Sequence, residues 1–458
     1  MGRLFGSSGV RGLVNVELSP VVACSVGSAV ATYARAKCAV VACDTRVSGG
    51  MVQDALVSGL LSCGVKVYLL GVVPTPVLAY VTRVLGADVG FMVTASHNPP
   101  QYNGIKVFNS QSLSYVDADQ VGVEGIVLEK QYGLVDWRCL GKTVCYDAYP
   151  VYFELVKKSV SLHKRWHVVV DPGCGAAYQL APQLFKLLGC KVTALNAHPD
   201  GYFSARPSEP TVESLKALSK TVRALGADVG VAFDGDADRV AFVDEGGEFV
   251  DFDHALAAYG AYALKQVGGG GGGGVVVTNV EASMCVETMV EGLGGRVVRT
   301  RVGDSYVSEA VRGEGAVFGG EPCGAWVHPL QHYCPDGPLS AVFFLKALED
   351  EGKSVSEFVG EVPKYVTLRK SVKCSNEVKN RIVATLARTL KDKFGDCTGF
   401  SVIDGVRLAF NEGWLLVRAS GTEPLIRVTV EGKTDNIAKE LMYKAVSVIC
   451  ECIEEEAV

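Results

Sequence analysis

A single local order occurs three times along the chain: a β-branched run, a helical stretch, a second β run, and then a loop of unusual composition. The opening runs begin near Ala39-Val40-Val41, His167-Val168-Val169-Val170 and Gly274-Val275-Val276-Val277. Each is short and apolar at consecutive positions, so both of its faces must be covered. That is the condition of a strand in a sheet flanked by helices on both sides. Helical patterns lie between the runs, as in Ala177 to Leu188, where Leu180, Leu184, Leu187 and Leu188 recur at helical spacing. The pattern predicts three α/β units with mixed, mostly parallel sheets. From about Tyr365 the order changes to a long helix pattern reaching about Lys393, then strands near Val406 to Phe410, Gly413 to Val417 and Leu425 to Val430, then a closing helix. This segment is predicted as a C-terminal α+β domain. With 458 residues the chain has room for three to four domains, and the expected limits are 1–148, 149–250, 251–364 and 365–458.

Each repeat ends in a loop at the carboxyl end of a strand, where open α/β sheets bind ligands. The first is Thr94-Ala95-Ser96-His97-Asn98-Pro99. Ser96 offers a hydroxyl nucleophile, which is weak at neutral pH unless a base or a metal assists it. A serine-hydrolase reading would need Gly-x-Ser-x-Gly at the turn, and here the neighbours of Ser96 are Ala95 and His97 in a loop without glycine. The second loop is Asp234-Gly235-Asp236-Ala237-Asp238-Arg239. Alternate residues of an extended segment project to one side, so its three carboxylates can converge on a hard divalent cation. Asp234, Asp236, Asp238 and Glu245 also fit four positions of an EF-hand. Arg239 stands where that loop needs glycine, and the flanks read as strands instead of helices.

The third loop is Gly320-Glu321-Pro322-Cys323-Gly324. In the C-terminal segment, Arg418-Ala419-Ser420-Gly421-Thr422-Glu423-Pro424, followed by Arg427, combines fork-shaped cations, hydroxyls and a glycine. That chemistry suits a phosphate dianion. The glycine run Gly268 to Gly274 lacks the Lys-Ser or Lys-Thr of a Walker loop and reads as a flexible surface loop.

A net charge of −6 without a long basic run argues against a nucleic-acid partner, while local Arg and Lys clusters can still bind a small anion. No apolar run reaches the roughly 18 residues of a membrane span, and MGRLFGSSGVRG has no apolar core of a signal peptide. A cytoplasmic protein with no membrane partner is expected. The fifteen cysteines include no CxxC pair and are read as buried, reduced thiols, with disulfides an option in a hyperthermophile.

Taken in order, these motifs resemble those of the α-D-phosphohexomutase superfamily, comprising phosphoglucosamine mutases and the phosphomannomutase/phosphoglucomutase group. The resemblance covers essentially the whole chain. It includes the opening Leu4-Phe5-Gly6-Ser7-Ser8-Gly9-Val10-Arg11-Gly12 as well as the four loops. It implies four domains around a central cleft, each giving one loop, with the first three sharing a fold and the last movable. Ser96 would then be the phosphorylated nucleophile, and Asp234, Asp236 and Asp238 would bind one Mg²⁺ per chain together with a phosphoserine oxygen on Ser96. Lys106 matches the family's acid/base lysine, and Arg11, His97 and Arg239 would line the reacting phosphate.

By the same resemblance, Glu321, Cys323 and Arg301 would meet the sugar, and Arg418, Ser420, Gly421, Thr422 and Arg427 the distal phosphate. Two positions depart from the pattern. Cys323 stands where many members have Ser, and Arg301, in Thr300 to Asp304, where relatives often have Lys. An arginine stays charged, which speaks against proton transfer there.

The activity implied is interconversion of a hexose 6-phosphate and its 1-phosphate, with a sugar bisphosphate as intermediate and activator. The sugar would have to turn around between two phosphoryl transfers. Leu4 to Gly12 and Thr300 to Asp304 look closest to phosphoglucosamine mutases, with phosphomannomutase/phosphoglucomutase as the alternative. A phosphatase and a non-catalytic sugar-phosphate sensor are the readings from other classes. The expected partners are small sugar phosphates, and a monomer or homodimer is expected. A base at Lys106 would need its pKa lowered from about 10.4.

Overall fold

A computed structural model describes residues 4–6, 8–268, 273–420 and 423–457. The three repeats fold into three sheets with one strand order. In the first, Cys38–Cys43 lies between Lys66–Val72 and Val89–Val93, all parallel, and Tyr102–Asn109 runs antiparallel beside Val89–Val93. In the second, His167–Asp171 lies between Lys191–Ala194 and Val229–Phe233, and Val240–Val243 is antiparallel. In the third, Val275–Asn279 lies between Arg296–Thr300 and Phe318–Gly320, and Trp326–Val327 is antiparallel.

The order in space is thus second, first, third, fourth in every repeat. Parallel neighbours need long crossovers, which the helices supply, whereas antiparallel neighbours can be joined by a short loop. The short connection from third to fourth strand is in each case the loop singled out by its chemistry. The first sheet grows to seven strands by adding Phe5–Gly6 and Gly9–Leu13 at one edge and Thr143–Cys145 at the other.

One hydrophobic core runs through all three repeats. It joins Val40 and Phe108 of the first to Tyr152, Phe185 and Phe233 of the second and Phe318 and Phe344 of the third. Stacked rings of Phe242 and Phe344, 4.1 Å apart, bridge the second and third. The C-terminal domain has its own core, built from Ile382, Leu386, Leu408, Leu415, Val428 and Ile449 among others. It meets the third repeat through a small cluster of Val280, Trp414 and Leu416.

Two sequence expectations need correction. The C-terminal domain does not open on a helix: Val366–Lys373 is a strand at the edge of a five-stranded antiparallel sheet, and the helix is Lys379–Phe394. The alternation of Val366, Leu368 and Val372, all packed on that domain's core, is the strand signal the helical reading passed over. The helix expected from Ala177 starts at Leu180. All fifteen cysteines are free thiols. No helix among the described residues is long and apolar enough to cross a membrane. Most of the glycine run, with Gly421 and Thr422 of the phosphate loop and Ser7 of the opening motif, lies outside the described residues.

Candidate active site

Ser96 is 1% exposed and sits at φ 52°, a left-handed conformation uncommon for a residue with a Cβ. That strain turns its hydroxyl toward the second repeat, where Oγ donates to Asp234 Oδ2 at 2.6 Å. His97 Nδ1 is 3.3 Å from the same Oγ. Burial, with Arg239 and Arg11 nearby, lowers the His97 pKa to about 3, so the ring is neutral.

Asp234, Asp236 and Asp238 are all buried, and an oxygen of each lies within 4.8 Å of the others. Burial, with Asp238 and Asp236 close by, pushes the Asp234 carboxyl well above the usual range. Asp236 Oδ1 and Asp238 Oδ1 are buried without a hydrogen-bond donor. Crowded, desolvated, oxygen-only ligands with unsatisfied acceptors fit a hard divalent cation, as the sequence pattern required.

Lys106 comes from the antiparallel strand Tyr102–Asn109 and is 3% exposed. Its Nζ donates to Asp236 Oδ2 at 2.8 Å and to Asp238. Burial works against its charge, but Asp236 and Asp238 more than offset that, and its pKa is raised. This is the opposite of the lowering that a base role needs. Arg11 Nη1 donates to Asn98 Oδ1 at 3.2 Å, beside the serine loop. The Arg239 amide donates to Asp234 Oδ1 at 3.3 Å, and its guanidinium stands 3.9 Å from Asp238.

The metal loop and the third loop are stitched together. Arg239 bridges Ala325, and the Val240 amide donates to Gly324 O at 3.0 Å. Gly324 has φ 85°, and a Cβ there would lie 2.0 Å from Val240 O, so only glycine fits. Glu321 Oε1 accepts from Asn279 Nδ2 and from the Gly303 amide, both at 2.8 Å. Burial raises its carboxyl. Burial also pushes the Cys323 thiol up to about 12, which keeps it neutral, although Arg239 acts in the other direction.

Arg301 is not brought to these groups. It pairs with Asp117 at 3.5 Å, and its Nε donates to Ile403 O at 3.2 Å. In the C-terminal domain, Arg418 pairs with Glu281 of the third repeat and, at 2.9 Å, with Asp404. Arg427 pairs with Glu423 at 3.0 Å, and buried Ser420 accepts from the Glu423 amide through Oγ.

Sequence reasoning missed the side chains that anchor these loops. Arg46 is fully buried against Asp44, at 3.0 Å, and donates to the carbonyls of Ser96, Asn98, Pro99 and Tyr102. Asp44 also accepts from Thr94 Oγ1 at 2.6 Å, and Thr94 Oγ1 accepts from the Ser96 amide. Arg206, paired with Asp171 at 3.1 Å, donates to Phe233 O, directly before Asp234. Asn279 holds Glu321, and Lys379 donates to the carbonyls of Ser420 and Glu423 on either side of the phosphate loop. Asp44, Asp171 and Asn279 all stand at or just past the end of the first strand of their repeat. A polar residue ending an otherwise apolar run was the available signal. Thr75, at the start of helix Thr75–Val84, is a further anchor, donating through its amide to Asp236 O at 2.9 Å and through Oγ1 to Asp236 Oδ2 at 2.5 Å.

Family models described as phosphoglucomutase/phosphomannomutase alpha/beta/alpha domains I, II and III match residues 2–133, 150–247 and 251–365, and the C-terminal domain of that family matches 370–446. A protein of Pyrococcus horikoshii named probable phosphoglucosamine mutase is 41% identical over 455 residues, 99% of each chain. One of the same name from Methanopyrus kandleri is 42% identical over 457 residues, again 99% of each. The crystal structure of a phosphoglucomutase/phosphomannomutase family protein from Burkholderia thailandensis superposes with a TM-score of 0.87 at 27% identity, covering 98% of this chain and 97% of that one. The repeated fold, the four loops and these likenesses agree: the chain belongs to the phosphoglucomutase/phosphomannomutase family of the α-D-phosphohexomutase isomerases.

Proposed function

We propose that the protein interconverts glucosamine 6-phosphate and glucosamine 1-phosphate through a phosphoserine at Ser96 and a bisphosphorylated sugar. The observation that carries this reading is the buried Ser96 hydroxyl, 2.6 Å from Asp234 at the edge of a three-carboxylate cluster. Its first transfer breaks the bond between phosphorus and Ser96 Oγ and forms one to the free sugar hydroxyl, whose proton leaves to a base. After the sugar turns around, its original phosphate returns to Ser96 by the reverse chemistry. Asp234, Asp236 and Asp238 would hold Mg²⁺, which supplies positive charge to the phosphoryl group in flight.

In this reading Arg11, His97 and Arg239 position the reacting phosphate, and Glu321 with Cys323 reads the sugar. Arg418, Ser420 and Arg427, with Gly421 and Thr422, grip the distal phosphate. Lys106 is the base, and it can take a proton only after leaving Asp236 and Asp238. The domain limits at 148, 250 and 364 belong to the same reading. The sugar choice is supported by relatives about 40% identical and named for glucosamine. A phosphatase is disfavoured because it has little use for a second phosphate grip on a separate domain.

The test is an isomerisation assay of the 6-phosphates of glucosamine, mannose and glucose side by side, with intact mass measured after exposure to the sugar bisphosphate. Fastest turnover on glucosamine 6-phosphate and one added phosphate on the wild type, absent from Ser96→Ala, are expected. Normal turnover by Ser96→Ala would overturn the mechanism.

A further inference from the structure

Arg418 and Arg427 face each other across the paired strands Gly413–Ala419 and Leu425–Gly432. On the far side of Leu425–Gly432, strand Val366–Lys373 sets Ser371 opposite Arg427 and Arg369 opposite Thr429. Side chains alternate along strands, so Arg369, Ser371, Arg418, Arg427 and Thr429 share one face of the sheet. The other face carries Val428 and Val430 into the core. With Glu281 of the third repeat, the shared face walls a recess of about 300 Å³, which Lys370 also borders.

Two of the three guanidiniums in that recess are already matched. Arg418 is held by Glu281 and Asp404, and Arg427 by Glu423. Arg369 is exposed and, among the described residues, has no carboxylate within ion-pair distance. Its planar fork can meet two phosphate oxygens at once, which the point charge of Lys370 cannot. Two hydroxyls, from Ser371 and Thr429, stand between the cations.

We infer that Arg369 makes first contact with the distal phosphate of the sugar, and that seating the phosphate requires Arg418 to exchange Glu281 for it. The inference rests on the mutase reading above and extends the phosphate grip to a strand outside the Arg418 to Arg427 motif. The exchange follows from charge. A dianion drawn to Arg418 is repelled by Glu281, so the carboxylate must let go as the phosphate arrives. Arg418 therefore serves the third repeat or the phosphate, and Arg369 serves the phosphate alone.

Calorimetric titration of the full chain with glucosamine 6-phosphate, and with glucosamine as the control lacking phosphate, tests both halves. Arg369→Gln should weaken the sugar phosphate by about tenfold, with partial recovery in Arg369→Lys and a smaller loss in Lys370→Gln. Glu281→Gln should move affinity the other way, tightening binding severalfold, because Arg418 no longer has to be released. Unchanged affinity in Arg369→Gln, or a larger loss in Lys370→Gln, overturns the assignment of Arg369, and weaker binding in Glu281→Gln overturns the exchange. Binding that follows this pattern in a wild type that isomerises none of the three sugars would sink the mutase reading and leave the grip standing.

Discussion

Ser96 and the three aspartates were legible because their chemistry is compact in sequence: a hydroxyl in a six-residue loop and carboxylates at alternate positions. The residue that makes the serine loop rigid was not. Arg46 lies in a different segment, and its four carbonyl contacts arise only when the sheet closes. Arg46→Met should destabilise the protein by about 3–5 kcal/mol, since it strands the buried Asp44 carboxylate as well as the four acceptors. Denaturant unfolding of Arg46→Met and of the double variant with Asp44→Asn checks this, and the double variant should regain part of the loss. Lys106 poses the sharper chemical question, because its neighbours hold it charged. Lys106→Arg keeps the charge and cannot act as a base. We expect it to bind sugar phosphate and lose most turnover, and near-normal turnover would make Lys106 a clamp.

At the scale of elements, the first strand of each repeat was readable from its apolar run, and the helices from their leucine spacing. Strand Val366–Lys373 was not, because Lys370 interrupts the alternation of Val366, Leu368 and Val372, and its basic residues suit a helix surface equally well. Helix Thr75–Val84 matters beyond its packing. Its first residue reaches from the first repeat into the second and orients Asp236. Outer partners of metal ligands commonly set affinity, so Thr75→Val should weaken Mg²⁺ binding about 10- to 100-fold. Calorimetric titration with Mg²⁺, alongside circular dichroism to confirm the fold, measures it, and an unchanged affinity would remove Thr75 from the site.

Across the whole molecule, the contrast is between a core shared by the three repeats, beside further clusters within each, and a core confined to the C-terminal domain. The seam between them is thin. It includes Val280, Trp414 and Leu416, the Arg418–Glu281 pair, Arg301 and the Val302 amide donating to Ile403 O and Asp404, and Glu431 accepting from the Met284 amide and the Trp414 indole, both at 2.8 Å. Hydrogen exchange should show the C-terminal amides opening in a step of their own at lower free energy, while the three repeats open together. Exchange of all four in one step would contradict the separate cores. The sequence announced a fourth domain by its change of order, but nothing in it measures how weakly that domain is attached, since the seam is made of residues far apart in the chain.

The identical strand order of the three repeats also has a meaning for descent. Asp44, Asp171 and Asn279 stand at equivalent strand ends, and only the third is uncharged, as suits a residue that donates to Glu321 and would repel it as an aspartate. Three copies of one unit, each with its own anchor, let a lineage rewrite one loop while the other two are inherited intact. A change confined to Glu321, Pro322 and Cys323 would then leave Ser96 and the three aspartates in place, while Gly324 stays tied to Val240.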